Sequence, residues 1–521
     1  MNTWMPRLCL LALLALMGPA CGAGKVLLAS QLVTAAGGTV VVPGSTLTGV
    51  QVDIPAGALA ASETITISQV PSSDPDVLKF EFGPDGTTFA VPVTVTIKYL
   101  DQYLTNNSIV DTDTLHVVAT NPNVAPETLK TSAKNDTDNT VSAQTTHFTG
   151  FSVQGYSTAM LSGDYFMSAY TYETGTTQLN AAATTFPQPL PKGFSVIYGS
   201  LHFDGAGAVT FTGSKRTDAG GAAPNSGSGT YSVLADGTFG MNAGSSFTGS
   251  VLAGGSMVIF SSNNNQPQIS VAVKVGGTTF STASLSGSYG TESYMYETGI
   301  TQPATPTVGT PAVPPLGFTS TVGTLTFDGA GNVSFTGTKN TDGSSGADSG
   351  SGTYTVNSGG TFSMTAGATF TGSLLAGGSI LVWASTSNQP QLSISVKKGG
   401  TLSAASLTGT YGTVMYRFEG ATTQPATQVA GQPSIHPNGF TSTVGTLTFD
   451  GINSVNFSGT TNTDGSGSPS VGSGTYTVAA DGTFGMTAGS SFSGLVLEGG
   501  SVFIWCSTSG GPQIGVSVLR K

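Results

Sequence analysis

Leu285-Ser286-Gly287-Ser288-Tyr289 decides the fold, because the same pattern recurs as Leu161-Ser162-Gly163-Asp164-Tyr165 and Leu407-Thr408-Gly409-Thr410-Tyr411. The offsets are 124 and 122 residues, the size of a domain rather than of a solenoid unit. Later anchors keep the register: Phe203-Asp204-Gly205, Phe327-Asp328-Gly329 and Phe449-Asp450-Gly451, then Gly229-Thr230-Tyr231, Gly352-Thr353-Tyr354 and Gly474-Thr475-Tyr476. From about Leu161 onward the chain reads as three copies of one module, bounded at 159–282, 283–404 and 405–521.

The second copy holds eight strand candidates: Thr291 to Tyr296, Val322 to Asp328, Val333 to Thr338, Thr353 to Asn357, Thr361 to Ala366, Phe370 to Ala376, Ser379 to Ser385 and Gln391 to Lys397. Most alternate apolar and polar residues, as in Leu392/Ile394/Val396, which is the two-residue period of a strand. Asp328-Gly329-Ala330-Gly331, Asn357-Ser358-Gly359-Gly360 and Ala376-Gly377-Gly378 fall between them as hairpin turns. Eight short strands in meander order close into an up-and-down barrel, which removes exposed sheet edges. The expected class is all-β, an N-terminal β-sandwich followed by three antiparallel eight-stranded up-and-down barrels, with a sandwich for each copy as the alternative. The layout resembles a lipocalin or avidin barrel in strand count, opening Gly-x-Tyr and a long loop after strand one. The Gly-x-Trp of lipocalins is absent.

Upstream, residues 37–156 also read as strands and turns, with Thr39-Val40-Val41-Val42, Val50 to Ile54, Thr64 to Ile67 and Val91 to Tyr99. Gly37-Gly38-Thr39, Gly49-Val50, Ile54-Pro55-Ala56-Gly57-Ala58-Leu59 and Phe82-Gly83-Pro84-Asp85-Gly86-x-x-Phe89-x-x-Pro92-Val93 occur there in order. This punctuation resembles the ZU-five domain of zonula occludens, netrin-receptor and ankyrin proteins, over about 120 residues. The resemblance implies a β-sandwich acting as an interaction or spacer module, with no catalytic residues to carry over. It also draws attention to His147-Phe148-Thr149, since some relatives cleave themselves at a His-Phe-Ser sequence, where a hydroxyl attacks its preceding carbonyl. The plainer reading of these residues is a closing strand.

Arg7, the apolar run Leu8 to Met17, and Gly18-Pro19-Ala20 form a signal peptide over residues 1–20. Cys21 follows directly, and Gly22-Ala23-Gly24 begins a tether to residue 36, so the segment resembles a bacterial lipoprotein signal whose Cys is lipidated. The expected location is extracytoplasmic, lipid-anchored at the outer membrane or cell surface, with soluble secretion as the alternative. With Cys9 removed and Cys21 acylated, Cys506 is left without a disulfide partner. Only 8% of the 521 residues are charged, and a net charge of −11 with no basic cluster argues against nucleic acid.

A ligand site is expected at the entrance of the long loop after strand one of each copy. There Tyr172 with Glu173 and Gln178, Tyr296 with Glu297 and Gln302, and Phe418 with Glu419 and Gln424 set aromatic faces beside polar groups, as a sugar or small amphiphile requires. The competing reading has the rings closing the barrel end and the polar groups holding the loop backbone. No His or Cys recurs between copies, so catalysis, cofactors and metals are not expected. Asp204, Asp328 and Asp450 read as turn residues, and Asp218, Asp342 and Asp464 lack the ligand density of a calcium loop. The function expected is a non-catalytic, exported cell-envelope protein with barrel modules that bind a glycan, a small amphiphile or a protein. The alternatives are a structural surface protein and, more remotely, a carboxylate-dependent enzyme acting on polysaccharide.

Overall fold

The computed structural model describes residues 25–520 apart from 45, 73–75, 107–108, 110–111, 113–114, 121–126, 130, 173–192, 218–220, 235, 253, 264–265, 276–278, 298–316, 388, 419–438, 464–465, 498 and 510. Its first unit is a pair of antiparallel sheets around one core. A six-stranded sheet runs in the order Val26–Val33, Glu63–Val70, Lys79–Gly83, Gly150–Gln154, His116–Thr120 and Glu127–Thr128. The facing sheet has Gly38–Val41, Gln51–Ile54, Thr88–Lys98, Thr140–His147 and Thr131–Asn135. Ile65, Ile67 and Phe80 from the first meet Val52, Val93 and Val95 from the second, as alternation on half-buried strands requires. Val26–Val33 lies inside the segment read above as a tether. It is an edge strand that leaves Val26, Leu27 and Leu32 exposed, so its sequence carries little alternation.

The rest of the chain folds into three closed, eight-stranded antiparallel barrels in meander order, spanning Ser162–Lys274, Ser286–Lys397 and Thr408–Leu519. The second comprises Ser286–Tyr296, Phe318–Asp328, Asn332–Thr341, Ser344–Val356, Thr361–Thr365, Thr369–Leu374, Ile380–Ser385 and Gln391–Lys397. Its last strand pairs with its first, from Tyr289↔Lys397 to Met295↔Gln391, which completes the closure. Strands three and four run further than their sequences advertise. Residues 343–352 are rich in Gly, Ser and Asp and solvent-exposed, so no apolar alternation marks them.

One set of bonds fastens the floor of every barrel. Tyr231, Tyr354 and Tyr476 donate their hydroxyls to the carbonyls of Leu161, Leu285 and Leu407 at 2.7, 2.7 and 3.0 Å. Asp204, Asp328 and Asp450 accept the amides of Ala206, Ala330 and Ile452 across the turn after strand two. These bonds favour the ionised carboxylates and hold the three carboxyls below their ordinary range. For Asp204 the main cause is the Ala206 amide, for Asp328 the Asn332 side chain, and for Asp450 the Ser454 amide.

The barrels are not beads on a string. Strand one turns alternate residues out of the barrel, and Tyr170, Tyr294 and Tyr416 meet edge-to-face about a common axis, with centroids 5.4, 5.5 and 5.3 Å apart. Phe194, Phe318 and Phe440 form a second ring of three at 5.5, 5.4 and 5.6 Å. Stacked pairs link the two sets cyclically: Tyr172 on Phe440 at 4.2 Å, Tyr296 on Phe194 at 4.6 Å, and Phe418 on Phe318 at 4.2 Å. Aliphatic side chains of the last two strands of each barrel complete the shared core, among them Ile259, Val271, Val382, Ile394, Ile504 and Val516. Further out, Arg216 donates to the Thr386 carbonyl, Asn340 to that of Ser507 and Asn462 to that of Ser262, at 3.1, 3.2 and 3.2 Å, closing the same cycle with polar bonds. Three barrels of one chain thus form a pseudo-threefold body.

The sandwich docks where the chain ends. Tyr156 donates its hydroxyl to the Leu519 and Arg520 carbonyls at 3.0 Å, and the ring of His116 meets the Arg520 carbonyl at 2.6 Å. A carbonyl only accepts, so Nε2 of His116 carries the proton. Burial pushes the His116 pKa from 6.5 down to about 4, against the pull of the Arg520 carbonyl.

Two outcomes follow from this packing. Thermal unfolding of the protein, followed by calorimetry, should show the three barrels melting in one transition, not three. Because the folded state resists protonating His116 while the unfolded chain does not, stability falls as pH drops from about 6.5 to about 4, by up to about 3 kcal/mol. Urea titrations at pH 7 and pH 4.5 should show this slope reduced in His116→Gln.

Candidate functional site

Each expected loop entrance brings together fewer groups than its spacing suggests. Tyr172, Tyr296 and Phe418 point away from their own barrels and are buried in the common aromatic core, at 1%, 0% and 4% exposure. The cause is the period of two: if Glu297 faces the barrel interior, its neighbour Tyr296 must face out. Glu297 does face inward, at the barrel mouth, where it accepts from the Lys339 ammonium at 3.1 Å. Glu173, Gln178, Gln302, Glu419, Gln424 and the lipidation candidate Cys21 lie outside the described residues, as do Asp218 and Asp464. Asp342 accepts the amides of Gly317 and Phe318 at 2.7 and 3.1 Å, anchoring the start of strand two.

The inward residues of the second barrel enclose a cavity of about 210 Å³. Thr291, Ser293 and Gln391 form a polar wall on strands one and eight. Phe335, Phe370 and Trp383 form an aromatic wall on strands three, six and seven, with Phe370 edge-on to Trp383 at 4.8 Å. A hydrogen-bonded relay fixes the deep end: the Trp383 indole N–H donates to the Ser395 hydroxyl at 3.2 Å, which donates to Thr291 at 2.8 Å. The Ser293 and Ser393 hydroxyls share a bond of 2.7 Å above it. Strand four pairs with strand five only from Thr353 to Val356, although its pairing with strand three continues to Ser344. The cavity is lined at this parting by Ser349, Gly350, Ser351 and Ala366, and by Asp348 nearer the mouth.

The cavity has a legible cause in the repeats. Register places Thr291 and Ser293 where the first copy has Met167 and Ala169 and the third has Thr413 and Met415. Met167 belongs to the first barrel's core, and Met415 packs against that of the third. In the first copy Phe260 and Ala272 also replace Trp383 and Ser395, so the relay is gone. Each copy thus has one inward methionine on strand one: Met167 and Met415 pack in or against the cores of their barrels, whereas Met295 of the second stands nearer the mouth and lines the cavity. The loop spacing drew attention away from these positions; a column-by-column comparison of strand one would have exposed them.

Two further reactive groups are sealed away. Thr149, the hydroxyl of the His-Phe-Thr sequence, is buried and donates to the Thr120 carbonyl at 2.9 Å. Glu292 points out of the second barrel into the third, is 1% exposed, and has no hydrogen-bond partner for either carboxylate oxygen among the described residues. The Cys506 thiol faces it and donates to the Thr321 carbonyl at 3.6 Å. Burial raises both the Glu292 carboxyl and the Cys506 thiol well above their ordinary ranges, which favours the protonated form of each. The first copy has Ser168 at the Glu292 position and the third has Val414.

No known protein family matches this sequence, and no curated protein matches it. The barrels and the cavity therefore carry the functional argument.

For a carboxyl whose pKa is raised by folding, stability is complete below pH 4.5 and declines as pH rises toward the folded value. In guanidinium titrations Glu292→Gln should match the parent near pH 4 and exceed it by about 1–3 kcal/mol at pH 8.

Proposed function

We propose that this chain is an exported cell-envelope protein that acts by binding a small molecule rather than by catalysis. In this reading Cys21 carries the lipid, the ZU-five-like sandwich stands between membrane and barrels, and the three barrels form one rigid head. The observation that carries it is the cavity of the second barrel, with a polar wall, an aromatic wall and a mouth bearing Glu297 and Lys339. Such a concave, mixed lining suits a glycan unit or a small amphiphile. The non-catalytic part is supported by what the reactive groups already do: the repeated aspartates bind turn amides, Thr149 bonds a carbonyl, and Glu292 is enclosed between barrels.

A purely structural surface role is the second reading, favoured by the extensive core that welds the barrels into one mass. Expression of the full chain in a bacterial host supplied with labelled palmitate tests the export and anchoring. The parent should be labelled and recovered with membranes, whereas Cys21→Ser should be unlabelled and released. Recovery of an uncleaved, unlabelled parent in the cytoplasm would contradict the proposal.

A further inference from the structure

We infer that the second barrel alone is a ligand chamber, and that its ligand is a single neutral sugar ring. This deepens the binding role proposed above and rests on it. The copies differ at the inward strand-one positions: the second has Thr291, Ser293 and Met295 where the first has Met167, Ala169 and Thr171 and the third Thr413, Met415 and Arg417. Thr291 and Ser293 leave space where Met167 or Met415 fills it, so the three repeats do not offer three equivalent sites. The aromatic positions of the axis and the floor residues of the interiors recur in all three copies, and the strand-one positions around the cavity do not.

The lining selects the ligand. An amphiphile needs a polar mouth above an apolar depth, but here polar groups reach the deep end of one wall, with Gln391 beside Met295, then Ser293, then Thr291. Much of the rest of the lining is apolar and carries three aromatic rings, Phe335, Phe370 and Trp383, among Leu325, Val333 and Met364. A pyranose has this division, with hydroxyls around its edge and a face of C–H bonds that packs on aromatic rings. The cavity of about 210 Å³ is below the range of about 300–1,000 Å³ typical of drug-sized ligands, and it fits one ring rather than a chain. Charge narrows the class further. Lys339 is engaged by Glu297 at 3.1 Å, which leaves Asp348 as the uncompensated charge of the lining among the described residues and disfavours an anion.

The test uses the mature full-length protein, titrated by calorimetry and tryptophan fluorescence with glucose, galactose, mannose and N-acetylglucosamine. Glucuronate and lysophosphatidylcholine serve as anionic and amphiphilic comparisons. At least one neutral sugar should bind saturably at one site per chain. Glucuronate should bind more weakly, by about tenfold or more. Ser293→Met, which installs the residue that the third barrel carries, should abolish binding while leaving the melting temperature within a few degrees. Trp383→Phe, the residue of the first barrel, should weaken it. Three sites per chain, or binding that survives Ser293→Met, would overturn the assignment. Binding of lysophosphatidylcholine alone, lost in Ser293→Met, would overturn the sugar class and leave the binding role standing. No binding by either class would overturn both.

Discussion

Edge-to-face packing of Tyr170, Tyr294 and Tyr416 is the contact on which the rest of the molecule depends. Edge-to-face rings add about 0.5–1.5 kcal/mol per pair beyond their buried area, and here each ring serves two pairs at once. The second ring of three, Phe194, Phe318 and Phe440, and the stacked pairs around it extend the same contact along the axis. An apolar strand face that an isolated barrel would expose is thereby removed from water. Fusion of three copies in one chain also makes their association intramolecular, so it does not depend on concentration.

This packing holds the aromatic positions of the axis alike in the three copies, while the barrel interiors share their floor residues and differ around the cavity. Tyr294 meets the matching tyrosines of both other barrels, whereas the counterpart of Tyr296 in the third copy is Phe418, which stacks on Phe318 as Tyr296 does on Phe194. Thr291 and Ser293 touch only their own barrel, so a methionine in one copy and a serine in another leave the assembly intact. Glu292 is one outer-face position that varies between copies, and there it meets the third barrel beside the Cys506 thiol. Serine and valine at the equivalent positions show that the assembly does not require a carboxyl there.

Much of the fold was legible because barrel strands with one wet face advertise themselves. Leu325/Phe327, Val333/Phe335 and Phe362/Met364 alternate, and Asp-Gly turns separate them, so strand number, order and the antiparallel meander could be read directly. Strand four was underestimated because its residues 344–352 are largely exposed and carry no apolar pattern. The association of barrels was written in a signal of a different kind. Met257-Val258-Ile259-Phe260, Ile380-Leu381-Val382-Trp383 and Val502-Phe503-Ile504-Trp505 are continuous apolar runs, which mark strands buried on both faces. The candidate site was legible only in part. Glu297 stands at the barrel mouth as its position implied, but Tyr296 beside it belongs to the axis. The cavity depended on differences between copies rather than on what they share.

The central claim is that three barrels are coupled through one aromatic axis, and native-state hydrogen exchange of Tyr294→Ala compared with the parent tests it most directly. If the axis couples them, loss of the central ring accelerates exchange together in Ser162–Tyr172, Ser286–Tyr296 and Thr408–Phe418. Acceleration confined to Ser286–Tyr296, with the first and third barrels exchanging as in the parent, would contradict the account.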